Sequence, residues 1–167
     1  MKDSFNFTVN NESNSISVAR ELEAALPLVW DAFSKKEVLD QWWAPKPWIC
    51  ETKNMEFKEH GQWLYAMVGP EGETHYSAAD YLEIIPMSSI TCVDYFTDAA
   101  GNPNKSMPSG HWKTTFEDKG QTTVVKYFIS YSDPEQLNSI LQMGFKDGVR
   151  IAFEGLDEVL QSLQQQL

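Results

Sequence analysis

A chain of 167 residues suits a single domain, and 24 Asp+Glu against 13 Lys+Arg leave a formal charge of -11. That balance excludes a nucleic-acid binder, whose phosphate partner needs a basic face, and disfavours an anionic membrane surface. A composition 42% hydrophobic and 13% aromatic excludes disorder; six Trp, six Tyr and nine Phe imply either a bulky core or rings around a hollow.

The opening residues carry no charged segment followed by an apolar run, so no secretory signal is expected. No stretch approaches the roughly 18 apolar residues of a membrane span. The two cysteines, Cys50 and Cys92, read as reduced thiols, and the expected location is cytoplasmic.

Residues 1–14 read as a polar leader, with Phe5 to Val9 as a candidate edge strand, and one domain is expected over residues 15–167. Ile16, Val18 and Leu22 mark the first firm strand. Pro27 opens a helix whose face carries Leu26, Val29, Trp30 and Phe33, because a missing N–H is harmless in the first turn. A second short helix from Lys36 to Trp43 stops at Ala44-Pro45-Lys46-Pro47. Strands follow over residues 48–57, 62–68, 74–85, 89–97, 110–117 and 122–131, separated by Gly- and Pro-bearing turns that suit an antiparallel meander. Residues 98–109, rich in Gly, Pro, Asn and Ser, read as a mobile loop. Asp133-Pro134-Glu135 starts one long helix with an apolar stripe from Leu137 to Leu163 and three glycines (Gly144, Gly148, Gly155) in its interior. Those glycines imply close approach to a neighbour, or room left open. The sum is an α+β domain in which a curved antiparallel sheet wraps one long C-terminal helix.

Trp63, Tyr65 and Met67 alternate along one strand and share a face. Trp48, Tyr76, Tyr95, Trp112 and Phe128 on neighbouring strands extend the candidate wall, since Trp N–H and Tyr O–H groups need partners that a dry core rarely supplies. Trp30, Trp42 and Trp43 read as packing in the helical lid. His60, His75 and His111 are the only histidines and lack metal-ligand spacing, so neither a metal nor a cofactor is expected. Among the strand carboxylates Glu51, Glu56, Asp80, Glu83 and Asp94, Asp80 and Asp94 sit among aromatics, which makes them the acid–base candidates. Lys126 in the last strand reads as pointing outward. No nucleophile motif is present, and no catalytic residue is assigned.

Several motifs occur in an order that resembles the SRPBCC (START-like, helix-grip) superfamily, closest to the family of the C-terminal domain of the activator of the Hsp90 ATPase. They are Val29-Trp30-Asp31-Ala32-Phe33 leading to Gln41-Trp42-Trp43-Ala44-Pro45, then Gly61-Gln62-Trp63-Leu64-Tyr65-Ala66-Met67 and Gly69-Pro70-Glu71-Gly72. Tyr81-Leu82-Glu83-Ile84-Ile85-Pro86, Thr115-Phe116-Glu117 with Gly120 and Thr122, and Gly144-Phe145, Gly148-Val149, Leu156 and Leu160 complete the series. The resemblance spans residues 15–161. Two departures stand out: His60 replaces a common glycine, and Val149 replaces a common Trp, which enlarges the expected pocket.

The resemblance implies a helix-grip fold with a cavity, in a superfamily of lipid and sterol carriers, hormone receptors, polyketide cyclases and binders of toxic small molecules. The expected function is binding of a small hydrophobic, aromatic or lipid-like ligand between sheet and last helix. Trp48, Trp63, Tyr65, Met67, Tyr76, Tyr95, Trp112, Phe128, Phe145 and Val149 are the candidate contacts, with residues 98–109 and the Trp42-Trp43 region controlling access. One alternative is a cyclase- or dehydratase-like enzyme using Asp80, Asp94, His75 or His111. The other is a module for an Hsp90-type chaperone. A homodimer is left open.

Overall fold

The computed structural model describes residues 4–166; the first three residues of the expected leader, and Leu167, lie outside them. The chain runs β1 (Asn6–Asn10), β2 (Ser15–Leu22), α1 (Leu26–Ser34), α2 (Lys36–Trp42), β3 (Ile49–Met55) and β4 (Gln62–Val68). It continues through β5 (Thr74–Ile85), β6 (Ser89–Thr97), β7 (Ser109–Asp118), β8 (Thr123–Ser130), α3 (Pro134–Gln142) and α4 (Phe145–Gln165). The described strands form one antiparallel sheet in the order β1-β2-β8-β7-β6-β5-β4-β3. Helices α1 and α2 carry the chain from β2 to the far edge, and everything from β3 to β8 is a meander. Of the two readings of residues 5–9, the edge strand is the one formed: Phe7 lies opposite Val18, and its ring packs 6.2 Å from that of Phe145.

Alternation gives the sheet two unlike faces. Ile16, Val18, Tyr127, Ile129, Trp112 and Phe116 point to the helices and are buried, while Ser17, Lys113, Lys126 and Phe128 point away and are exposed. Lys126 therefore extends into solvent. Over β2 and the parts of β7 and β8 that carry Phe116 and Val125 the helix side is filled. Trp30, Phe33 and Phe116 meet edge-on at 5.1–5.2 Å, and Phe153 stacks on Tyr127 at 5.4 Å. Such T-shaped and offset contacts suit the ring quadrupoles.

The long C-terminal helix is two helices. Asp133 caps α3 by accepting the Gln136 N–H at 2.9 Å, and the chain breaks at Gly144, whose φ of +84° few other residues tolerate. The apolar stripe keeps its period across the break, so the pattern conceals it. Gly144 is consequently a joint and not an interior glycine. The other two lie inside α4 at close approaches: a Cβ on Gly148 would sit 3.8 Å from Pro45, and one on Gly155 3.9 Å from Trp42.

Residues 98–109, expected to form a mobile loop, are a loop up to the start of β7 and carry a set of hydrogen bonds of their own. The Asp98 carboxylate accepts from the N–H groups of Ala100 and Asn102 and from the Asn102 amide, and Asn104 N–H bonds Phe96 O at 2.8 Å. Ser109 N–H bonds Gln136 Oε1 at 3.0 Å, which couples this segment to α3. Polar composition signals a surface loop; it carries no information on whether the polar groups bond one another.

Candidate functional site

Over β4, β5 and β6 the space between sheet and α4 is not filled, and a partly open cavity of about 540 Å³ remains. Its sheet wall comes from one phase of each strand: Tyr65 and Met67 from β4, His75 and Ser77 from β5, Asp94 and Phe96 from β6, Trp112 from β7 and Tyr127 from β8. The first half of α4 forms the roof with Phe145, Gly148, Val149 and Ala152, and Ile140 and Met143 close one side. Trp42, Trp43, Pro45 and Trp48 close another, and Met107 reaches in from the loop.

The structure brings together six of the ten expected contacts: Trp48, Tyr65, Met67, Trp112, Phe145 and Val149. Four are elsewhere. Trp63 has the right phase but lies one layer down, stacked under Tyr65 at 4.1 Å with its Nε1 donating to Thr52 Oγ1 at 3.0 Å. Tyr76, Tyr95 and Phe128 have the wrong phase. They lie opposite Ala66, Ala78 and Ser17, all on the outer face, and Phe128 is half exposed. Both phases of these strands carry apolar residues, so alternation alone could not orient them. Trp42 and Trp43 belong to the wall itself as well as to the lid's packing. Phe96, Tyr127 and Met107 were missed; the shared phase of Asp94 and Phe96 was the available signal for the first.

Among the acid–base candidates, Glu51, Glu56 and Glu83 are exposed, and so is His111, on the outer face. His60 occupies an exposed turn at φ +68°, a left-handed conformation that glycine adopts without strain. Asp80 is on the outer face, bonded to Tyr95 at 2.9–3.0 Å and to Gln62 at 3.0 Å. His75 stands at the exposed rim, stacked on Trp48 with ring centroids 5.5 Å apart.

Among the described residues Asp94 is the one carboxylate in the cavity wall. It accepts a hydrogen bond from Tyr65 Oη at 3.2 Å through Oδ2, while its Oδ1 has no partner among the described residues. Burial pushes its pKa up to about 6, with the Tyr65 hydroxyl pulling the other way. Burial raises the hydroxyls of Tyr65 and Tyr131 well above their usual range, and the charge of Asp94 adds to both. Across the ladder from Asp94 is Gly110, where a side chain would press on Ile129, Trp112 and Tyr131 at 3.1–3.2 Å. Among the described residues no group of three or more His, Cys, Asp or Glu could hold a metal ion, and no helix is long and apolar enough to cross a membrane. Cys50 and Cys92 are free thiols, both raised in pKa mainly by burial.

Residues 23–161 match the family described as Activator of Hsp90 ATPase homolog 1-like protein. A solved protein from Arthrobacter aurescens is similar over 94% of this chain and 91% of its own, with a TM-score of 0.89 and 25% identity. A protein from Staphylococcus epidermidis covers 96% and 95%, with a TM-score of 0.81 and 26% identity. One from Mycobacterium smegmatis shares the fold, with a TM-score of 0.86 at 22% identity over 93% of this chain and 95% of its own. No curated protein matches the sequence.

Proposed function

The chain belongs to the Activator of Hsp90 ATPase homolog 1-like family, a fold family that commonly binds hydrophobic ligands, and from that premise we propose that its cavity holds a small, largely apolar molecule. One observation carries this reading: a space of about 540 Å³ stays open beneath α4 and is walled by rings and methionines. Its size lies within the span of small-molecule sites. A naphthalene-sized body burying roughly 200 Å² would gain about 5 kcal/mol at about 25 cal/mol per Å².

Trp43, Trp48 and Trp112 stand in the wall, so intrinsic fluorescence reports occupancy. Saturable quenching is expected with naphthalene-type or acyl probes. Val149→Trp, which puts a ring into the roof, should weaken it at least tenfold while the protein stays folded by circular dichroism. A wild-type protein without saturable quenching across both probe classes would refute the reading.

A second reading, acid–base chemistry of the cyclase or dehydratase type, has one observation in its favour. Asp94 faces the cavity with a pKa near physiological pH, where a carboxyl can both take and return a proton. Turnover of an enolisable carbonyl compound, lost in Asp94→Asn, would establish it. Interaction with an Hsp90-type chaperone rests on the family's name alone, and co-purification tests it.

A further inference from the structure

The cavity's charge is as uneven as its shape. Asp94 and the rim residue His75 are its only described wall side chains of the Asp, Glu, Lys, Arg or His type, and no lysine or arginine shares the wall. Asp94 forms no salt bridge among the described residues. Asp94 is half-buried in a partly open cavity with no cation beside it, and a ligand that supplied one would form a charge-assisted pair in apolar surroundings. Oδ2 is engaged by Tyr65, which leaves Oδ1 as the free acceptor. The same cavity is walled by Trp43, Trp112, Phe96 and Tyr127, aromatic rings whose π-systems attract a cation and reject an anion. The protein's charge of -11 acts in the same direction at long range.

We propose that the preferred ligand is a hydrophobic amine, its protonated nitrogen paired with Asp94 Oδ1 and its apolar body lying among the rings beneath α4. This rests on the ligand-binding reading above and specifies its chemical class. The titratable groups facing Asp94 are the hydroxyls of Tyr65 and Tyr131 and, on its own strand, the Cys92 thiol. β5 and β7 present Ser77, Ala79, Gly110 and Trp112, and α4 presents Phe145, Val149 and Ala152.

The test compares three probes of one shape at pH 7.5 on the whole protein: 2-naphthylmethylamine, 2-naphthylmethanol and 2-naphthoate. The amine is expected to bind at least tenfold tighter than the alcohol, and the naphthoate weaker than both. Asp94→Asn should bring amine and alcohol within about threefold of each other without weakening the alcohol. A second measurement covers failure of that variant to fold. In His75→Gln, which removes the only imidazole in the wall, the amine's advantage over the alcohol should shrink as pH falls from 7.5 to 5. An alcohol that binds as tightly as the amine, or an amine preference that survives Asp94→Asn, overturns the proposal while leaving ligand binding intact. An absence of saturable binding by all three overturns both.

Discussion

Asp94 carries a measurable cost. Its folded pKa of about 6 lies above the unfolded value of about 3.9, so between those pH values the folded state holds the proton that the unfolded chain releases. Stability therefore falls as pH rises from about 4 to 6 and is level above. At about 1.36 kcal/mol for each pH unit, the cost at neutral pH is about 2–3 kcal/mol. Asp94→Asn is expected to raise the free energy of unfolding by that amount at pH 7 and by almost nothing at pH 4, measured by urea titration at both. An equal effect at the two pH values would contradict the assignment. A substitution that stabilises the fold and removes amine selectivity together is the signature of a side chain kept for binding. His60 is a second residue in an uncomfortable state, with φ at +68° and its side chain in solvent. His60→Gly should stabilise by about 0.5–1 kcal/mol, since relief of the left-handed strain outweighs the added freedom of the unfolded chain. The neighbouring Gly61 has no such latitude: a Cβ there would lie 2.1 Å from Glu56 O, which gives the Gly-x-Trp motif its physical reason.

Elements differ in what they do for the cavity. The second half of α4 (Phe153, Leu156, Leu160) anchors in the core, and the first half spans open space. α3 closes a side of the cavity through Ile140 and holds the 98–108 segment through Gln136. It packs only Leu137 fully into the core, so its cap matters more than usual. Asp133→Ala should cost about 1 kcal/mol, and amide exchange should accelerate at Gln136 and Leu137 before it does in α4. The strands from Gln62–Val68 through Ser89–Thr97 were legible to the residue because Gly and Pro turns bound them and β-branched or aromatic residues fill them. The split of the last helix was not. Gly144 keeps the apolar period, and only its positive φ ends the helix.

At the scale of the whole molecule, a single ionic contact among the described residues joins α4 to the filled half of the sheet. The Arg20 guanidinium is buried, lies 5.8 Å over the Phe153 ring and pairs with Asp157, whose side chain is 41% exposed; Arg20 Nε has no partner. Removing Asp157 strands a buried charge, whereas replacing Arg20 by an apolar chain removes that charge. Asp157→Ala is therefore expected to cost about 2 kcal/mol, the low end for buried pairs because one partner is wet, and Arg20→Met to cost less. Thermal unfolding of the two variants checks the order. The uneven filling has a simple source. α1 and the end of α4 pack over β2, β7 and β8, and the rings of Trp30, Phe33, Phe116 and Phe153 occupy the space there. At the start of α4 Phe145 meets Trp112, but the residues that follow on that face, Gly148, Val149 and Ala152, are too small to fill the space.

The amino-acid sequence by itself determined the family, the meander and the short helices after the first strand. These are properties of local pattern: turn chemistry, capping, period and motif order all act within a few residues. Only the tertiary structure decided which face of each strand looks inward, and with it the replacement of Tyr76, Tyr95 and Phe128 in the wall by Phe96, Tyr127 and Met107. Phase in a strand apolar on both sides is set by register with its neighbours, and register belongs to the sheet. The excess of aromatic residues was visible from the outset, whereas which of the two carboxylates among them, Asp80 or Asp94, faces the cavity emerged only once the strands were aligned.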